Sequence, residues 1–499
     1  MKCGSYGRSV RRISGGVLLT LGAVLLAACS SSPTTPSARP NNPTTTTSFP
    51  PTTTTTTTRV APTTTTAPTT TTTKPPVTTT TGARVATTTT TKAGGSTTTT
   101  TTSGGKNWSG KTITFGAVFS ITGSGEPYGR SQIQGVNLAL DQINAGGGIN
   151  GAHLNLSISD DASDPSTAAA NMTTLANRGA LAVLGPTFTN SAYVADPVAN
   201  MLGVPVLAVS NTGPGIVGNC SYPCTWIFRD SLGEATGIPV NIDTYLGRAR
   251  PKKAVVIAPS GDAYGAQTGQ LATNAFTAAG VSAGPPVIVP VTEPALGQAV
   301  AAALASKPGV LMVTASSPTV ASGIITDARK SAFTGGILGG NAFNSPAVAK
   351  TAGSAGRNAQ SAAGWYAGDP SPTNTSFVSS YRSRYGAPPD QFAAQAFTGV
   401  KLLAAAAKNA PLGFTNVATD RAAFKVSLEA VSLQTPLGPF RFTAEHDVYQ
   451  PVWVVAMNGR GGYRLVTEVP PAQTQSTTNT TTQSPTSPTS TASTTNGGP

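Results

Sequence analysis

Histidine is nearly absent from these 499 residues: His153 and His446 are the whole supply, and neither lies near a cysteine or another histidine in the sequence. That leaves no imidazole cluster for a metal and removes the commonest general acid–base residue. No glycine-rich loop carries the lysine that a phosphate cradle needs, so no catalytic set, cofactor or metal is expected, and an enzyme is the least favoured reading. Acidic residues are also few. All 19 lie within residues 108–468, whereas 10 of the 32 basic residues lie outside that region, leaving 22 against 19 and a net charge of only +3 there. The overall charge of +13 therefore misleads, and a nucleic-acid partner loses its electrostatic support. The apolar run over residues 17–26 is too short to be a comfortable membrane span.

What stands at the two ends accounts for that imbalance. Lys2, Arg8, Arg11 and Arg12 precede the apolar run, and Leu26-Ala27-Ala28-Cys29 follows it; the tetrapeptide resembles a lipobox, whose cysteine carries lipid and becomes the mature N-terminus. A simple secretory signal with an incidental cysteine is the alternative, and Arg11-Arg12 fits twin-arginine export poorly. Residues 30–107 are almost entirely Thr, Pro, Ser and Gly, too poor in apolar surface to offset ordering entropy. They read as an extended, mucin-like stalk; at about 3.1 Å per residue, a reach of ~200 Å follows. A second Thr/Ser/Pro tail occupies 470–499. With Cys3 in the signal and Cys29 lipidated, Cys220 and Cys224 remain, and on the outer side of a membrane they are expected to form a local disulfide.

The globular region turns on residues 180–214. Residues 180–184 are an apolar run of buried-strand character ended by Gly185-Pro186, and the polar cluster Thr187-Phe188-Thr189-Asn190-Ser191 is placed to open a helix over 192–202. Gly203 closes that helix; residues 204–208 resume a strand, which ends in Ser210-Asn211-Thr212. In a parallel sheet with right-handed crossovers, both polar clusters fall on the same carboxyl edge, where helix N-termini offer N–H groups to an anion. Elsewhere the spacing predicts a strand over 111–119, a helix over 131–144, a strand through Leu154, Leu156 and Ile158, and a helix capped by Asp160-Asp161 and Ser163-Asp164-Pro165. Strands at 254–258 and 310–313 and helices at 265–279 and 320–329 follow the same α/β rhythm.

Several motifs occur in one order: Ile121-Thr122-Gly123, Tyr128-Gly129, Asp141-Gln142-Ile143-Asn144-Ala145-Gly146-Gly147-Gly148-Ile149-Asn150-Gly151, and Asp160-Asp161-Ala162-Ser163-Asp164-Pro165. Then come Leu184-Gly185-Pro186, Phe228-Arg229, Asp262-Ala263-Tyr264-Gly265, Tyr381-Arg382-Ser383-Arg384-Tyr385-Gly386, and Leu437-Gly438-Pro439-Phe440-Arg441-Phe442. Over about 112–468 the chain resembles the branched-chain amino-acid-binding family of type 1 periplasmic binding proteins, substrate-binding components of ABC transporters. The resemblance implies an α/β fold with two lobes, each a parallel sheet flanked by helices, joined by three crossovers. Lobe one would be about 112–232 with 363–438, and lobe two about 233–362 with 439–468, within a domain spanning 108–469.

It also implies a ligand-binding set. Thr189, Ser210 and Thr212 fall where relatives hold a ligand carboxylate, although Ser and Thr also suit such turns as ordinary caps. Tyr128, Tyr264 and Tyr366 are candidates to wall the ligand, with core or rim packing as the alternative. Where amino-acid binders carry two acids, this chain has Glu234 and Asn341, so recognition of an α-ammonium group rests on Glu234 alone. The expected function is a lipid-anchored, monomeric receptor that clamps a small amino acid, amide or short carboxylate and passes it to an ABC permease. A surface sensor or wall-associated binder without transport is the alternative, favoured by the long stalk.

Overall fold

A computed structural model of the chain describes residues 106–471; the expected signal, the tail beyond 471 and nearly all of the expected stalk lie outside them. Five parallel strands make the first sheet: β1 (Thr112–Phe119), β2 (His153–Asp160), β3 (Val183–Leu184), β4 (Val206–Ala208) and β5 (Ile227–Arg229), in the spatial order β2-β1-β3-β4-β5. The connections supply α1 (Glu126–Ala145), α2 (Pro165–Asn177) and α3 (Thr189–Met201). The pleat of β1 explains the layering. Ile113, Phe115, Ala117 and Phe119 enter one core with Val136 of α1, while Val118 enters another with Met172 and Leu175 of α2 and Ala195 of α3. A sheet covered on both faces requires apolar residues on both, hence the unbroken apolar character of β3 and β4.

α1 begins five residues earlier than the apolar stripe suggests, because Pro127 in its first turn has the fixed φ a helix start favours. Tyr128 and Gly129 are thus helical, and Gly129 has a packing reason: a Cβ there would lie 2.1 Å from the Ser120 carbonyl oxygen. Asp164 caps α2, its side chain accepting from Thr167 N–H, as expected. Between β4 and β5 the Cys220–Cys224 disulfide is formed, with S–S 1.99 Å and Cα–Cα 6.1 Å.

After β5 the chain crosses to the second sheet through α4 (Glu234–Leu246), and continues through β6 (Lys253–Pro259), α5 (Ala263–Ala278), β7 (Ser282–Ala283), β8 (Val287–Val289) and α6 (Ala295–Leu304). β9 (Val310–Val313), α7 (Pro318–Lys330), β10 (Gly336–Gly339), α8 (Pro346–Ala352) and β11 (Gln360–Ala363) complete this pass. Ile257, Leu311, Val313 and Ile337 pack against Val300 of α6 and Ile324 of α7; Val256, Val310, Met312 and Leu338 pack against Ile242 of α4 and Phe276 of α5. The chain then returns to the first core through α9 (Pro372–Tyr385), α10 (Gln391–Asn409) and α11 (Val417–Glu429), with Trp365, Phe377, Phe397 and Phe424 among the buried anchors.

Two features differ from expectation. A small antiparallel sheet, β12 (Ser432–Thr435), β13 (Gly438–Phe442) and β14 (Val448–Tyr449), follows α11, and Leu437, Phe440 and Phe442 pack into the first core. The third crossing therefore comes not near 438 but between β14 and β15 (Val452–Met457), since burying those aromatics holds the chain on the first lobe. Each buried Phe is worth about 1.5–3 kcal/mol. The second sheet is also mixed: β15 and β16 (Tyr463–Val469) add antiparallel to β11, giving the order β16-β15-β11-β10-β9-β6-β7 with β8 also on β6. The architecture is a two-lobed α/β clamp of the type 1 periplasmic binding protein fold with three crossovers.

Candidate ligand-binding site

Adjacent strands β3 and β4 bring the turns that follow them side by side. Thr189, first residue of α3, accepts through Oγ1 from the N–H groups of Thr212 and Gly213, each at 3.1 Å. Only glycine allows that approach at 213, where a Cβ would come within 2.4 Å of Thr189 Cγ2. With both acceptances made, the Thr189 hydroxyl proton meets no acceptor among the described residues. Ser210 and Thr212 are differently committed. Ser210 Oγ donates to the Thr187 carbonyl at 2.6 Å and accepts from Gln132 Nε2 at 2.8 Å, and Thr212 Oγ1 donates to Glu234 Oε1 at 3.2 Å. The first N–H groups of α3 have no intrahelical acceptor and present positive potential to the same edge.

The carboxyl ends of the second sheet face this edge. Tyr264 opens α5 after β6, Ser316 follows β9, and Asn341 begins a 3-10 turn (Asn341–Asn344) after β10. Tyr128 of α1 stands between the lobes, edge-on to Phe188 (5.7 Å) and tilted against Phe392 of α10 (4.4 Å), and donates its hydroxyl to the Ser316 carbonyl at 3.1 Å. Tyr128, Thr189, Ser210, Thr212, Tyr264 and Asn341 all line one central cavity. Its enclosed volume is only about 20 Å³. Amino-acid-sized ligands therefore need the lobes to part.

Glu234 lies beneath the cavity at the start of α4, 4% exposed. Its Oε1 accepts from the hydroxyls of Tyr264 and Thr212 and from Asn341 N–H (2.8 Å), whereas Oε2 takes no hydrogen bond among the described residues. Burial pushes the Glu234 carboxyl above the ordinary range, opposed by those three hydrogen bonds and by Arg229. Burial, with the neighbouring Glu234, likewise pushes the Tyr264 phenol up, so it remains a donor. The Asn341 amide is spent on neighbours: Nδ2 donates to the Ser210 carbonyl at 3.0 Å, and Oδ1 accepts from Gln391 Nε2 at 2.7 Å.

Tyr366 is not brought to this cavity; it lines a separate lateral cleft beside α8 and α9. Conversely, Thr187, Phe188, Ser316, Ala342 and Phe392 join the central wall. Thr187 and Phe188 adjoin Thr189 in the cluster the sequence singles out, and Ser316 follows an apolar strand. Phe392 carries no local signal, since its place depends on α10 meeting Tyr128 across a long sequence separation. Among the described residues no group of three His, Cys, Asp or Glu could hold a metal ion.

Comparison with known proteins gives a consistent neighbourhood. A family model described as periplasmic binding protein matches residues 112–462. A leucine-, isoleucine-, valine-, threonine- and alanine-binding protein of Pseudomonas aeruginosa is 36% identical over 105 residues, 21% of this chain and 28% of that protein. The curated relatives are thus matched over well under half their length, between 28% and 40%. A leucine binding protein from Thermotoga maritima superposes with a TM-score of 0.66 at 18% identity, covering 72% of this chain and 99% of that one. A solute binding protein of an ABC transporter from R. palustris, solved in complex with benzoate, gives 0.62 at 21%, with 72% and 96% covered. At such identities the superpositions speak for the fold.

Proposed function

The chain belongs to the periplasmic binding protein family, and from that premise we propose that it is the extracytoplasmic ligand-capturing component of an ABC transporter. It closes its lobes on a small amino acid, amide or short carboxylate and delivers it to a permease as a monomer, without catalysis. One observation carries the reading: a free hydroxyl proton on Thr189 and the N-terminus of α3 face a single cavity, and the Glu234 carboxyl is held directly behind its wall by Tyr264, Thr212 and Asn341. A carboxylate is costly to bury unless hydrogen-bonded, and an ammonium group is costly unless it meets an anion. Thr189 and the helix end supply the donors, and Glu234 supplies an anion behind the wall. The ligands named for the three relatives above, amino acids and benzoate, share a carboxylate. Asn341 adds no second anion, so des-amino carboxylates and amides remain in the ligand class.

Calorimetric titration with a panel of amino acids, amides and short-chain acids tests the reading; saturable binding by one class is expected, and no binding by any would refute it. The anchor is proposed at Cys29, outside the described residues, on the Leu-Ala-Ala-Cys sequence. Cys29→Ala is expected to move the protein from the membrane to the soluble fraction, and unchanged retention would remove the proposal. The length of the Thr-rich segment 30–107 favours a second reading, a surface sensor built on the same clamp. Ligand-dependent co-purification with a permease supports transport, and co-purification with a kinase instead supports sensing.

A further inference from the structure

The lateral cleft that receives Tyr366 stands apart from the central site, and nothing in the central site uses it. It offers about 470 Å³, within the ~300–1,000 Å³ typical of small-ligand pockets. Its walls come from both lobes: Trp365, Tyr366, Tyr381 and Pro389 on one side, Tyr463 and Lys350 on the other. A septum separates it from the central cavity, for Gln391 on its wall donates to Asn341, which donates onward to the Ser210 carbonyl. A ligand there would not displace one at Thr189.

The chemistry of the walls selects the ligand. Trp365 Nε1 donates to Asn374 Oδ1 (2.7 Å), Tyr381 donates to Gln134, and the Tyr463 hydroxyl lies 2.7 Å from the carbonyls of both Phe343 and Ser345, its one proton shared between them. Trp365 and Tyr381 are nearly buried, 6% and 2% exposed, and show the cleft little more than an edge, whereas the half-buried Tyr366 and Tyr463 supply its larger ring surface, suited to a flat apolar body. Lys350, exposed on α8, pairs with no carboxylate among the described residues, so a cation stands on this wall with its charge unmatched. The carboxylate on the wall, Asp390, is occupied as the cap of α10, accepting from Ser131 Oγ and Ala393 N–H. We propose that this cleft is a second binding site, for an aromatic monocarboxylate whose ring lies against Tyr366 and Tyr463 and whose carboxylate meets Lys350. The proposal goes beyond the reading of the central cavity and stands independently of it.

Phenylacetate is a suitable probe, with phenylacetamide and phenethylamine as neutral and cationic controls, titrated by calorimetry into the whole chain. Phenylacetate is expected to bind, with both controls at least about tenfold weaker. Lys350→Glu, at an exposed position that does not threaten folding, is expected to weaken phenylacetate by about tenfold or more, and Ala367→Trp, a plug at the exposed rim, to abolish it. Thr189→Ala is expected to leave it unchanged. Loss on Thr189→Ala would place the acid in the central cavity and overturn the proposal. Equal affinity in Lys350→Glu, equal binding of the amide or amine, or no binding at all would also overturn it.

Discussion

Thr189 differs from its two neighbours at the turn edge in having a proton to spare. Because Oγ1 already accepts two backbone N–H groups, its proton is the one hydroxyl hydrogen of the three expected carboxylate-turn residues without a partner among the described residues. Thr189→Ala is therefore expected to weaken a carboxylate ligand by about 1–3 kcal/mol in calorimetry; equal affinity would remove the role. Ser210→Ala is expected to lower stability instead, by stranding the Thr187 carbonyl and Gln132. A second residue-scale consequence follows from Asp196, 1% exposed on α3 with neither carboxylate oxygen hydrogen-bonded among the described residues. Burial pushes its carboxyl well above the ordinary range. A folded-state pKa raised above the unfolded one stabilises at pH below the unfolded value, and that contribution disappears as pH rises through the folded value. Asp196→Asn is expected to flatten the loss of stability from the ordinary carboxylate range upward and to match or exceed the wild-type melting temperature at neutral pH. A lower melting temperature there would contradict the assignment.

At the scale of elements, legibility followed the range of the interactions. β1, β2 and α2 were readable because alternation, Gly-rich turns and the Asp164-Pro165 cap are local signals. Thr189, Ser210 and Thr212 were readable for the same reason, lying on consecutive strand-to-turn junctions. Tyr366 was misplaced and Phe392 missed because each is assigned to a cavity by packing between distant segments. The third crossing was mislocated because β12, β13 and β14 are short strands whose allegiance is decided by burial of Phe440 and Phe442, not by pattern. Asn341 shows the same limit: the sequence marks it as a missing acid, whereas the fold uses it to join the turn after β10 to the turn after β4 and to Gln391. Asn341→Ala removes two contacts made only when the lobes meet, each worth about 0.5–1.5 kcal/mol. Faster ligand dissociation with little change in association rate is expected in stopped-flow measurements; an unchanged dissociation rate would show that these bonds do not latch the clamp.

For the whole molecule, the order of motifs along the chain carried the fold further than composition did, since the net charge of +13 belongs largely to segments outside the described residues. The two sheets are linked by three crossings, and hydrogen bonds across the cleft, among them Tyr128 to Ser316, Asn190 to Asp262, Asn341 to Ser210 and Tyr193 to Gln267, join an apolar contact of Tyr128, Phe188 and Phe392 that a rotation can break together with them. A central cavity too tight to admit an amino acid in this conformation means that entry requires opening, and a ligand that touches both lobes then favours closure by its differential affinity. Small-angle scattering of the whole chain, with and without the tightest binder from the calorimetric panel at proven saturation, tests this most directly. A smaller radius of gyration on ligand addition is expected, and an unchanged radius at saturation would contradict a ligand-driven clamp.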